Sequence, residues 1–369
     1  MNDKFNIENE DNMEKEKKSK IKKILVNLTI FILLIILTFS LVLKDQDVSQ
    51  IFSVAAKVKK QYILFAVLAM SIYILGEAVN ITRILKELGE KSKLISNIRY
   101  TLIGFFFSAI TPAASGGQPM EIYYMHKDDI SVANSTLALL MQLCSLQIVT
   151  ITVGTISAVI HFEVLKSGLI YLLILGIILN SSALMLLIIA IFSKRLSEGL
   201  IKFVVKLLKF FRIPNVEKKQ EKLEKELESY QTSAKYIKEH KILMLKTVIT
   251  TVIQMIAYYS VPYWIYLAFG LTEYNIFEIL TLQAVLYATV SGIPSPGAVG
   301  VSEGGFLGIF RNVFPETIIS SAMLLTRGAN FYLFIIISAI IVMISTFREK
   351  KIEKKQMQET EVLTEKSEK

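Results

Sequence analysis

Two glutamates occupy matching places in this chain. Glu121 follows Pro112 by nine residues in "TPAASGGQPMEIYYM", and Glu303 follows Pro294 by nine in "PSPGAVGVSEGGFLGIF". Small residues fill both intervals, among them Gly116 and Gly117 in the first and Gly297 and Gly300 in the second. Ser108 and Ser291 stand shortly before the two prolines. A carboxylate just beyond a Pro–Gly break is suited to meeting a cation. The N–H groups freed at such a break, and the half-helix ends beside it, hold polar or anionic groups. Gln118 and Ser302 add hydrogen-bonding side chains, and Arg327 in "LLTRGANF" supplies a cation that balances Glu303 or Glu121 or meets a phosphate. The candidate substrate-binding set is Pro112, Gly116, Gly117, Gln118, Glu121, Pro294, Gly297, Ser302, Glu303 and Arg327. No catalytic residue, metal ligand or cofactor is expected. His126, His161 and His240 are scattered without ligand spacing, Cys144 is a lone cysteine in an apolar run, and no Walker-type phosphate loop is present.

The elements that position these residues are membrane helices. Of 369 residues, 53% are hydrophobic, and the charges are segregated at the ends and in a few loops. A bilayer core needs about 20 apolar residues per helical span. Runs of that kind lie at Ile24–Leu43, Tyr62–Asn80, Val132–Ile160, Leu169–Phe192, Ile242–Phe269 and Ile319–Thr346. The first run is too long for a signal peptide and has no cleavage site after it, so it reads as an anchor. Two apolar pieces, Tyr100–Ile110 and Ile276–Ile293, are too short or too broken to span, and each leads into one of the glutamate motifs.

Basic residues orient the chain. "KEKKSKIKK" before the first run, "REKKIEKK" after the last, and Arg83, Lys86, Lys91, Lys93 and Arg99 in the second loop all read as cytoplasmic. The connections His161–Ser167 and Leu271–Asn275 are poor in positive charge and read as external. Lys57, Lys59 and Lys60 dissent, because the span count places them outside. The division is a basic cytoplasmic tail over 1–23, a membrane domain over 24–347 with a charged cytoplasmic insertion over 193–241, and a charged cytoplasmic tail over 348–369. In the insertion, Leu196, Leu200, Val204, Leu207 and Phe211 recur at helical spacing opposite Lys202, Lys206 and Lys209, the pattern of a helix lying in the membrane interface. After Pro214, Asn215 can cap a second helix with an apolar stripe of Leu223, Leu227, Tyr230 and Ile237, either packed on the membrane domain or docking a partner.

If each glutamate motif is the tip of a hairpin, the span count brings the first in from the cytoplasm and the second from outside. The fold class is then an all-α, polytopic membrane bundle with two broken, re-entrant hairpins related as an inverted repeat, an architecture of secondary transporters. Broken backbone is tolerated there only where protein or a polar cavity surrounds it. The competing readings are a kink or close helix crossing for the Pro–Gly runs, and a structural ion pair for the charges. A carboxylate in a bilayer costs several kcal/mol unless paired or watered, and Glu77, Glu121, Glu303 and Arg327 together favour a polar substrate path.

The motifs "TPAASGGQPMEIYYM", "PSPGAVGVSEGGFLGIF" and "TRGANFYL" resemble the integral-membrane region of lysylphosphatidylglycerol synthases and their stand-alone flippase-like bacterial relatives, over about Ile24 to Phe347. The resemblance implies a multi-pass protein of the bacterial cell membrane with both termini cytoplasmic. It implies movement of a polar lipid, lysylphosphatidylglycerol or a related phospholipid or isoprenoid-linked lipid, between leaflets. Glu121 and Glu303 would meet a cationic headgroup. The family's bifunctional members carry a soluble transferase domain, and the charged tail here is too short to fold one. The alternative is phosphatidylglycerol lysyltransferase activity, alone or with a soluble aminoacyltransferase partner, contributing to resistance to cationic antimicrobial peptides. No nucleic acid is expected to bind directly, and an oligomer is compatible with the sequence.

Overall fold

The computed structural model describes residues 53–111, 114–160, 169–193, 216–293 and 295–348, with a few isolated positions elsewhere. The expected anchor Ile24–Leu43, the tails, most of the interface helix Arg195–Phe211, Asn215, and both motif prolines, Pro112 and Pro294, lie outside the described residues. Among the described residues every regular element is helical. In chain order these are α1 (Lys60–Glu87), α2 (Leu94–Ile110), α3 (Gly117–Lys127), α4 (Val132–Ile160), α5 (Leu169–Phe192), α6 (Val216–Glu239) and α7 (Lys241–Tyr259). There follow α8 (Val261–Ala268), α9 (Ile276–Val290), α10 (Val301–Ile309) and α11 (Ile319–Arg327). From α11 the chain passes through a π turn at Gly328–Tyr332 and stays helical to Arg348.

Five helices are long and apolar enough to cross a membrane: Lys60–Glu87, Val132–Ile160, Ile170–Phe192, Lys241–Ala268 and Ile319–Arg348. They match the second to sixth spans expected from sequence. Their composition explains their outer surface. Leu64, Phe65, Leu68 and Ile72 of α1 and Ile174, Ile178, Met185 and Leu186 of α5 are exposed. Apolar patches of that extent on a folded chain are a membrane-facing surface. The span made of α7 and α8 breaks where Pro262, with no N–H to donate, sits in the first turn of α8. There the Ser260 hydroxyl donates to the Ala257 carbonyl and accepts from the Trp264 indole, 2.7 and 3.2 Å away.

Inside the bundle α1 packs on α7 and α8, and α4 packs on α9 and α5. Apolar burial does not drive helices together in lipid, so close packing and hydrogen bonds must. Asn80 shows this clearly. Its amide donates to Gln142 Oε1 at 2.8 Å and Thr251 Oγ1 at 3.0 Å, while Gln142 donates to Gln254 Oε1 at 3.2 Å. Arg83 donates to Asn80 Oδ1 at 2.9 Å, which joins α1, α4 and α7.

The charged helix α6 lies on the membrane helices, as its apolar stripe requires. Ile237 is fully buried, the Tyr230 hydroxyl donates to the Ala190 carbonyl at 2.9 Å, and Ser233 donates to Asn134 at 2.7 Å. The Tyr236 hydroxyl reaches Glu87, at the end of α1. The opposite end of α1 begins beside the end of α8, where the Lys59 N–H donates to the Ala268 carbonyl at 3.0 Å. Lys57, Lys59 and Lys60 therefore share an end of the bundle with the Leu271–Asn275 connection.

Candidate functional site

Each glutamate motif folds as a helix–break–helix pair. In the first, α2 arrives, the chain turns, and α3 returns against it. Thr111 organises the turn. Its hydroxyl donates to the Phe107 carbonyl at 2.6 Å and accepts from the Gly116 N–H at 2.9 Å. The crossing of α2 and α3 is too close for side chains. A methyl on Gly104 would sit 1.9 Å from Glu121 Oε1, and one on Gly117 would sit 2.0 Å from the Ser108 hydroxyl. At the pair's open end, Arg99 and Tyr100 of α2 both bind the carboxylate of Asp128, the residue that follows α3. That end lies on the same side as α6, because Glu90 accepts from Asn134, which in turn holds Ser233.

In the second pair, α9 arrives and α10 returns. Asn275 starts α9 with a reciprocal cap: its side chain accepts from the Glu278 N–H at 3.1 Å, and Glu278 accepts from the Asn275 N–H at 2.8 Å. Asn180 of α5 holds the far end of α9, donating to Ser291 Oγ at 3.1 Å and the Ala288 carbonyl at 3.2 Å. The break then runs through Gly297 and Gly300, with φ of 59° and 87°, and Ala298, with φ of 52°. The left-handed conformation strains a residue with a Cβ and suits glycine. The open end of this pair lies at the end of the bundle away from α6. There the Tyr274 hydroxyl donates to the Asn312 carbonyl at 3.0 Å, and Tyr266 packs edge-on against Phe314.

Residues 24–338 match the family described as the lysylphosphatidylglycerol synthase TM region. The chain belongs to that family. No curated protein matches it.

In this family member the two glutamates are both buried and have different surroundings. Glu303 is fully buried and fully bonded. Its Oε1 accepts from Arg327 Nε at 2.8 Å and from the Tyr332 hydroxyl at 3.1 Å, and its Oε2 accepts from the Gly300 N–H at 2.7 Å. Arg327 also donates to the Gly297 carbonyl at 3.1 Å and lies 4.0 Å over the Phe331 ring. Of the two partners left open by the sequence, Arg327 therefore pairs with Glu303. Glu121 is 3% exposed, and its Oε2 is buried with no hydrogen-bond partner among the described residues. It lies within electrostatic reach of Glu77 on α1.

Tyrosines cluster beside Arg327. Tyr73, Tyr258, Tyr259 and Tyr287 come from α1, α7 and α9. The Tyr258 ring is 5.2 Å from Tyr73 and 5.3 Å from Tyr287. Glu77 acts on Tyr73 and Tyr287, while Arg327 and Glu303 act on Tyr258. Ser302, Tyr258, Gln283, Asn330 and Arg327 line a cavity of about 20 Å³, room for about one water. Gln118 and Gly116 are half-buried at the first tip.

Sequence reasoning missed Tyr332, Phe331, Gly104 and the tyrosine cluster. Three of these had a signal. Phe331 and Tyr332 follow Arg327 by about one helical turn, where side chains meet on one face. Gly104 interrupts an apolar run in "LIGFFF", as a close crossing demands.

Proposed function

We propose that the protein moves a polar lipid, lysylphosphatidylglycerol or a related phospholipid, between the leaflets of the bacterial cell membrane. One observation carries this reading: Glu77, Glu121, Glu303 and Arg327 lie among membrane-crossing helices, beside two backbone breaks. Stability alone gives no reason to hold Glu121 there without a partner. In this reading the two helix–break–helix pairs are re-entrant hairpins of an inverted repeat, and both termini are cytoplasmic. A cationic headgroup meets Glu121, and Gln118 hydrogen-bonds it at the first tip. The lipid phosphate approaches Ser302 and the unused N–H groups of Arg327. The one-water cavity is far smaller than a headgroup, so the tips must separate during the cycle. A soluble aminoacyltransferase makes the lipid and is the partner expected at the cytoplasmic face.

The test is reconstitution in liposomes with a fluorescent lysyl-lipid added to one leaflet. Quencher-accessible signal should equilibrate far faster with protein than without it. Equal rates in protein-free and protein-containing vesicles, with the protein shown folded, would remove lipid movement from consideration. The orientation has its own test in a Cys144→Ser background. Single cysteines just before Tyr100 and just after Met125 should label from the same, cytoplasmic side, and opposite-side labelling overturns the re-entrant arrangement.

A further inference from the structure

We infer that Glu121 is a proton-binding site, occupied by a proton whenever the lipid is absent, and that the proton leaves as a cationic headgroup arrives. The exchange step rests on the lipid reading above; the protonation of Glu121 does not.

The two motif glutamates supply the contrast. Glu303 receives three hydrogen bonds, one of them from the Arg327 guanidinium, so both of its oxygens have partners. Glu121 stands at the same distance from its motif's proline and has no such shell. Its Oε2 is buried without a donor, and no ion pair to it is present among the described residues. An ionised carboxylate in that position is costly. The elements around it offer no relief. α2 faces it with Gly104, and the charged or titratable side chains of α2, Arg99 and Tyr100, are bound to Asp128 at the open end. Cys144 is the sole titratable side chain on α4. α1 contributes Glu77, a second acidic side chain. The last span touches α3 through Thr346 and Tyr124; its Arg327 is committed to Glu303, and Tyr332 also bonds Glu303. On α3 itself, His126 and exposed Lys127 lie in the last turn, with Lys127 against Tyr123.

A bare oxygen also decides which cation fits. A hard metal ion needs a shell of several oxygen ligands. The described surroundings of Oε2 provide none, whereas a proton needs only the one oxygen. Adding it converts –COO⁻ to –COOH and removes the charge. When a headgroup ammonium approaches, –COOH gives up H⁺ and the resulting –COO⁻ pairs with the ammonium. One positive charge leaves as another enters, and no bond of the lipid is broken. Glu77 brings a second carboxyl group toward this site and no positive charge.

Two measurements test this. The first needs no lipid. Infrared difference spectra of the purified full-length protein in detergent, wild type against Glu121→Gln at neutral pH, should show a protonated-carboxyl band present in wild type and missing in the variant. Absence of that band in folded wild type overturns the proton site and leaves lipid movement untouched. The second uses proteoliposomes and dioctanoyl lysylphosphatidylglycerol as the probe. One-for-one exchange predicts that a pH difference of about one unit shifts the steady-state distribution of the lipid about tenfold. Dioctanoyl phosphatidylglycerol, which lacks the amine, should show no such shift. Movement of the lysyl probe that ignores the gradient overturns the exchange even if the band is present. No movement of either probe, with the band present, overturns the lipid reading and keeps the proton site.

Discussion

Glu303 and Arg327 should behave as one structural unit, and a double-mutant cycle measures it. Glu303 is fully buried and Arg327 is 7% exposed, so either charge left alone has almost no water. The single change Arg327→Met removes the Nε–H donor to Oε1 and the donor to Gly297, and it strands a carboxylate that retains only Tyr332 and the Gly300 N–H. Breaking a buried pair from one side costs about 3–5 kcal/mol. Glu303→Gln is nearly isosteric and should still be costly. Donors point at both oxygens, Arg327 and Tyr332 at Oε1 and the Gly300 N–H at Oε2. A glutamine amide must therefore turn its own NH₂ toward one of them and also strand the guanidinium. The double variant Glu303→Gln with Arg327→Met removes both charges. It should recover much of the loss, leaving a coupling of about 2–3 kcal/mol, in the range found for residues of one network. The assay is reversible unfolding in mixed micelles, with folded fraction read by near-ultraviolet circular dichroism. Single variants as stable as wild type, or a double variant whose loss equals the sum of the singles, would refute the reasoning.

Glu121→Gln should leave stability unchanged or raise it, because it removes a buried carboxylate that has no partner for Oε2; it should abolish movement of a lysyl-lipid, and a destabilised variant would show a partner that the geometry lacks. Gly104→Ala should destabilise the first pair by about 1–3 kcal/mol, since its methyl falls 1.9 Å from Glu121 Oε1; the same unfolding assay reads it, and wild-type stability would refute the tight crossing. Asn80→Ala should cost about 1–3 kcal/mol by leaving Gln142 and Arg83 short of partners, again with wild-type stability as the contrary result. The purified protein should form no lysylphosphatidylglycerol from lysyl-tRNA and phosphatidylglycerol, because a large polyanion cannot reach groups buried among the spans; product measured by thin-layer chromatography would overturn this.

The spans were legible because bilayer thickness imposes a run length that few other structures need, and the five described runs begin and end within a few residues of their helices at every end but one, where α1 continues past Asn80 to Glu87. The two breaks were legible for a related reason: proline and paired glycines inside apolar runs are poor helix, and both sites depart from helix. What lies between elements was not legible. Arg327 is 24 positions beyond Glu303, and nothing in that interval distinguishes Glu303 from Glu121 as its partner. Tyr73, Tyr258 and Tyr287 look like ordinary interfacial tyrosines one at a time. They become a cluster only because α1, α7 and α9 converge. The bare surroundings of Glu121 depend on what α1, α2 and α4 fail to present, and no single stretch of sequence records that.

The π turn at Gly328–Tyr332 sets the facing of everything after it. Such a turn fits one extra residue into a helical turn, so each later side chain points about 100° away from where an unbroken α-helix would aim it. Beyond the turn Phe334, Ser338 and Ser345 face inward, while Ile336, Ile340, Ile344 and Phe347 face outward. The turn thus works as an angular offset between two half-spans: the first half aims Arg327 at Glu303, and the second half keeps its serines out of the lipid. Deleting one residue from Gly328–Tyr332 would restore a continuous helix and swing Ser338 and Ser345 toward the acyl chains without altering the composition of that face. The span would remain apolar and long enough to cross, yet half of it would present the wrong side to its neighbours.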